Sequence, residues 1–112
     1  MKAFAVALLL VFASVAQAEE QAFRIMKAQD AVVQVLHMEP GKVRLFVLPY
    51  ENTRQQAVLL AHTICMELVE WMDETNYVPA AGESLEAECE TVFGKTSYDA
   101  KTQYIHWIDQ KK

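Results

Sequence analysis

Residues Thr53–Asn76, TRQQAVLLAHTICMELVEWMDETN, decide the fold class. Ala57, Leu60, Ala61, Ile64, Cys65, Leu68, Trp71 and Met72 recur at three- and four-residue intervals, while Gln55, Gln56, Glu67, Glu70, Asp73 and Glu74 fall mostly on the other side. That 3.6-residue period predicts one long amphipathic helix. Thr53 and Gln56 have capping-box spacing at its start, with Asn52 as a rival cap. Its end is expected near Asn76, ahead of Pro79.

On either side of this helix the period changes to two. Upstream, Ala31–Met38 and Val43–Leu48 are Val/Leu/Phe-rich runs separated by Glu39-Pro40-Gly41-Lys42. Pro presets the first central position of a turn and Gly accepts the positive φ of the second, so the two runs predict a β-hairpin. Pro49 closes the second strand. Downstream, Ser84–Phe93 alternates, with Leu85, Ala87, Cys89, Thr91 and Phe93 facing one way and Glu86, Glu88 and Glu90 the other. Gly94–Asp99 is turn-like, and Lys101–Ile108 reads as a last strand. The expected class is α+β: a small antiparallel sheet in the order ββαββ, with one long helix on one face. Residues Glu19–Asp30 fit either a short helix or an irregular first strand.

Cys65 lies on the apolar stripe of the helix and Cys89 on the apolar face of the third strand, so both periodicities place the thiols at the helix–sheet interface. They are the chain's only two cysteines. In an oxidising compartment such a pair is expected to form a disulfide, worth about 3 kcal/mol in the chain-entropy model. Their 24-residue separation matches neither a C-x-x-C redox motif nor a zinc ligand spacing.

The N-terminus supplies the expectation of that compartment. Lys2 is followed by an uncharged Ala/Val/Leu/Phe run to Ala13, then by Ser14-Val15-Ala16-Gln17-Ala18 and Glu19-Glu20. A basic start, a short apolar run and an A-x-A site make residues 1–18 a cleavable secretory signal, too short to anchor in a bilayer. Residues 19–112 then form a single small domain, expected to be soluble and periplasmic or secreted. The 112 residues less the 18 of the signal leave 94, a length that supports one modest core. Without Lys2 the remainder has nine basic and fifteen acidic residues, a net charge of −6. Such acidity argues against nucleic acid or an anionic membrane as partner.

Catalytic patterns are absent from the sequence. Gly94-Lys95-Thr96 resembles the end of a phosphate-binding loop, but Cys89 occupies the place of its first glycine and a strand follows. His37, His62 and His106 enter no H-E-x-x-H or other close ligand cluster. Met26, Met38, Met66 and Met72 could offer thioethers to Cu(I), although methionine is usually core filler. There is no G-x-S-x-G elbow. An enzyme is not expected, and no metal or cofactor is assigned.

What the sequence does point to is a surface. One helix covers one face of a sheet, yet several strands are apolar on both. With Arg44 outward, Val43, Leu45 and Val47 face the helix and Phe46 and Leu48 do not. With Gln34 outward, Val33 and Val35 face the helix, and Val32, Leu36 and Met38 lie on the other face. Ile105 and Trp107 oppose Tyr104, His106 and Ile108. Strands apolar on both sides are normally covered on both. The candidates for the cover are residues Glu19–Asp30, a second copy, or another protein. The expected contact set is Leu36, Met38, Phe46, Leu48 and Tyr104, with Glu86, Glu88 and Glu90 as an acidic rim. A protein-binding module (an inhibitor, an immunity-type protein or an accessory subunit of an envelope complex) is the leading expectation. A small-ligand or metal carrier and a structural homodimer are the alternatives.

Overall fold

A computed structural model describes residues 30–110. The expected secretory signal and the ambiguous segment to Gln29 lie outside the described residues. The elements are β1 (Ala31–Glu39), β2 (Lys42–Pro49), α1 (Arg54–Glu74), β3 (Glu86–Glu90), β4 (Gly94–Asp99) and β5 (Tyr104–Asp109). The fold is α+β, as its periodicities require. Among the described residues, one five-stranded sheet in the order β1-β2-β3-β4-β5 carries a single helix.

Helix α1 runs 21 residues, and Thr53 caps it: the Thr53 Oγ1 accepts from the Gln56 N–H at 3.2 Å. It ends at Glu74 with Thr75 as its C-cap, and Asn76, just beyond, has a left-handed φ of 57°. There the Asn76 N–H donates to the Asp73 carbonyl and the Tyr77 N–H to the Met72 carbonyl, the paired bonds of a Schellman ending. Ala57, Ala61, Ile64, Cys65, Leu68 and Met72 are buried against the sheet. Opposite them stand Ala31, Val33, Val43, Leu45, Val47, Ala87 and Cys89.

Helix length also explains the first departure from expectation. The sheet is mixed, because β2 and β3 pair in parallel, Lys42 with Glu86 through Phe46 with Glu90. A helix of this length rises about 30 Å, enough to carry the chain from the end of β2 back past its beginning. The chain therefore enters β3 at the same end as β2. Two hydrogen bonds record the arrival: the Gly41 N–H donates to the Tyr77 carbonyl at 3.1 Å, and the Glu86 N–H to the Gly41 carbonyl at 2.8 Å. The other three strand pairs are antiparallel.

The second departure is an additional strand. Gly94–Asp99 is β4, where sequence patterning suggested a turn. The turn is tighter and earlier: the Thr91 Oγ1 accepts from the N–H groups of Phe93 and Gly94 and donates to the Gly94 carbonyl. β3 therefore stops at Glu90. β4 hides its period because its fully buried residues are Gly94 and Thr96 rather than large apolar ones. Small side chains let the helix come close, and the Thr96 Oγ1 donates to the Ala61 carbonyl at 3.1 Å.

The expected Cys65–Cys89 disulfide is not formed. Both residues are buried at the helix–sheet interface, but they are free thiols 4.0 Å apart, about twice a disulfide bond length. The Cys65 Sγ instead lies 3.8 Å from the Ala87 carbonyl oxygen as a weak donor. The hydrogen bond with Cys65, together with burial, pushes the Cys89 thiol well above its ordinary range. Helix and sheet are held here by packing and hydrogen bonds, with no covalent link between the two cysteines.

A third departure changes one face. The β1–β2 register shifts between Val35 and His37, so that Val35 faces Leu45 and His37 faces Arg44. This β-bulge inserts Leu36 as an unpaired residue and reverses the alternation beyond it. Met38 consequently turns to the helix side, where it packs half-buried against the core. It does not lie on the outer face with Val32 and Leu36. His37 takes that place instead.

Candidate functional site: the outer face of the sheet

Alternation alone puts the remaining candidates together. The helix-distal face carries Val32, Gln34, Leu36 and His37 from β1, and Lys42, Arg44, Phe46 and Leu48 from β2. It continues with Glu86, Glu88 and Glu90, then Lys95, Ser97 and Asp99, and finally Tyr104, His106 and Ile108. Register aligns these into cross-strand rows. Gln34, Phe46, Glu90, Lys95 and Ile108 form one row; His37, Arg44, Glu88, Ser97 and His106 form the next.

The middle of this face is a charge lattice. The Arg44 Nη2 donates to the Glu90 Oε2 at 2.9 Å, and the Lys95 Nζ donates to the Glu88 Oε1 at 3.1 Å. The Arg44 Nε stands 3.6 Å from the Glu88 Oε2. Lys42 and Glu86 are at 4.0 Å, and the His37 Nε2 lies 3.1 Å from the Glu39 Oε1. The bond to Glu90 and its charge, with Glu88 adding to them, raise the already high pKa of Arg44. Glu88 and Glu90 are therefore matched within their own sheet, and Glu86 is left as the most exposed of the three. Arg44 was legible in the sequence only as a marker of the outward direction. Lys95 was not legible at all, because its strand was not.

Apolar side chains lie on both sides of this lattice. At the β1–β2 corner Val32 is 51% exposed, Leu36 44% and Leu48 40%, with half-buried Phe46 beside them. Val32 and Leu48 are direct register partners, which joins the corner into one surface. At the β5 edge Tyr104 is 68% and Ile108 47% exposed. Of the expected contact residues, Leu36, Phe46 and Leu48 gather at one corner. Tyr104 lies across the sheet from them, and Met38 is on the other face.

Concavities are shallow. A cleft of about 700 Å³ at the hairpin turn is lined by Glu39, Gly41, Lys42, Pro79, Glu83 and Glu86, among others. A second, of about 400 Å³, lies over β4 and β5 beside Ser97, Asp99 and His106. Among the described residues no group of three or more His, Cys, Asp or Glu is placed to hold a metal ion. None of their helices is long and apolar enough to cross a membrane. Compared with protein-family models, curated proteins and solved structures, the chain matches none.

Proposed function

We propose that this chain is a small exported protein-binding module that acts through the outer face of its sheet. The observation that carries the reading is the contiguous apolar corner of Val32, Leu36, Leu48 and Phe46, which no described residue covers. Exposed apolar side chains that adjoin one another, rather than lying scattered, mark contact surfaces. The charge lattice next to it supplies a polar flank of fixed geometry. Since Arg44 and Lys95 engage Glu88 and Glu90, that flank contributes orientation more than net acidic attraction. Export to the periplasm or beyond rests on the pattern of residues 1–18. A rigid sheet face needs little ordering on contact, which suits an inhibitor, an immunity-type protein or an accessory subunit.

Two measurements test this. N-terminal sequencing of the protein recovered from the cell envelope should begin at Glu19; an uncleaved Met1 in the cytoplasm removes the export part of the reading. For binding, wild type and Leu48→Glu are used to capture partners from envelope extract, and the captured protein is then purified and titrated directly. Loss of affinity by about 2 kcal/mol or more in Leu48→Glu, with an unchanged unfolding midpoint, is the expected result. Equal affinity of both proteins for every partner refutes the assignment to this corner.

A further inference from the structure

Two nucleophilic side chains take no part in the outer face. Cys65 on α1 and Cys89 on β3 meet at the helix–sheet interface as free thiols 4.0 Å apart, each 0% exposed. A disulfide holds its sulfurs at about 2.05 Å, so about 2 Å of approach separates this dithiol from a covalent bond. The local register favours that approach. Cys89 pairs across the ladder with Thr96, and the Thr96 Oγ1 donates at 3.1 Å to the carbonyl of Ala61, one turn before Cys65. A hydrogen bond therefore already holds this turn of the helix over this pair of strands. Ala61, Ala87 and Thr96 are buried here and small, which keeps the helix close. Closure gives up one weak contact, that of the Cys65 Sγ with the Ala87 carbonyl oxygen at 3.8 Å.

We propose that Cys65 and Cys89 form a site of oxidative modification that closes during folding and not after it, so that a disulfide donor present while the chain folds selects between two native forms, open dithiol and locked. The order follows from burial. Exchange requires a thiolate to reach a sulfur of the incoming disulfide, and neither sulfur of the folded dithiol is open to such a molecule. In the unfolded chain both are. One cysteine thiolate attacks the donor disulfide, forms a mixed disulfide and releases one donor thiol. The other cysteine thiolate then attacks the chain's own sulfur, forms the Cys65–Cys89 bond and releases the second donor thiol. The two donor thiols carry away the two electrons and two protons that the dithiol loses. The same burial then shields the closed bond from reductants, so each form persists once folded. Closure ties α1 to β3 between Glu88 and Glu90, which hold Lys95 and Arg44 on the opposite face. The lock thus steadies the strand at the centre of the outer face without altering the surface itself, and it needs no partner.

For the test, the reduced protein is unfolded in urea and refolded with either reduced or oxidised glutathione at about 1 mM. Oxidised glutathione should give a monomer without free thiols, about 2 Da lighter than the product of reduced glutathione and melting at least about 10 °C higher. The same donor should oxidise the already folded dithiol at least about tenfold more slowly than the chain in urea. Cys89→Ala, refolded alike, should show no donor-dependent rise in melting temperature; if it does not fold, the mass and melting temperature of the wild type decide. A wild type that keeps both thiols, carries glutathione on either, or links two chains overturns the inference. So does a closed form that melts no higher than the dithiol. Oxidation of the folded dithiol as fast as of the unfolded chain overturns the proposed order.

Discussion

Gly41→Ala tests the junction on which the parallel crossover depends. Gly41 has φ +82°, a region that costs a residue with a Cβ about 1 kcal/mol. A Cβ at Gly41 would lie 2.4 Å from the N, Cα and Cβ of Pro79, and most of that obstacle is backbone. The loop behind Pro79 must then retreat, and overpacking of this kind costs about 1–3 kcal/mol. Retreat also lengthens the bonds from the Gly41 N–H to Tyr77 and from the Glu86 N–H to Gly41, which start β3 beside β2. The sum is about 3 kcal/mol. Gly82→Ala isolates the first contribution, because Gly82 has φ +89° but a Cβ there would meet nothing within 4 Å; it should cost about 1 kcal/mol. Urea unfolding followed by the fluorescence of Trp71 and Trp107 gives both values, provided the slope is unchanged. In thermal unfolding the Gly41 variant should melt roughly 10–20 °C lower. Equal destabilisation by the two alanines, within about 0.5 kcal/mol, would refute the close contact between the hairpin turn and the post-helix loop.

Three further outcomes follow from the core and the outer face. Both thiols should resist modification in the native protein and react fully in denaturant, a result that a pre-formed disulfide would not give. Because the folded-state pKa of Cys89 is raised, its contribution to stability is complete below the unfolded thiol value of 9.0 and declines as pH rises through the folded value; unfolding midpoints should fall on the alkaline side of 9.0, and Cys89→Ala should lessen that fall. On the outer face, Glu90→Gln should cost less than about 1 kcal/mol and lose even that in high salt, since Arg44 and Glu90 are partly solvated; a cost above about 2 kcal/mol would mean the lattice is a structural necessity.

Much of the fold was legible because two periods of hydrophobicity are hard to disguise. The helix, its Thr53 cap, its end near Asn76 and the Pro40-Gly41 hairpin turn all follow from local chemistry. The outer-face positions of Phe46, Leu48, Glu86, Glu88, Glu90 and Tyr104 followed from alternation, which survives wherever the register is unbroken. Met38 was misplaced because a single inserted residue, Leu36, reverses parity, and nothing in VLHM announces a bulge. β4 was missed because its buried residues are a glycine and a threonine, chosen by the nearness of the helix rather than by hydrophobicity.

The sequence by itself determined the class of the protein, the direction in which the alternating stretches of β2, β3 and β5 face, and the burial of both cysteines, because each depends on residues near one another in the chain. Tertiary structure alone decided the order of the strands, the parallel pairing of β2 with β3, the free state of the two thiols, and which apolar residues gather at one corner. Those outcomes depend on where a 21-residue helix delivers the chain and on how closely it packs, distances that no local pattern of side chains records.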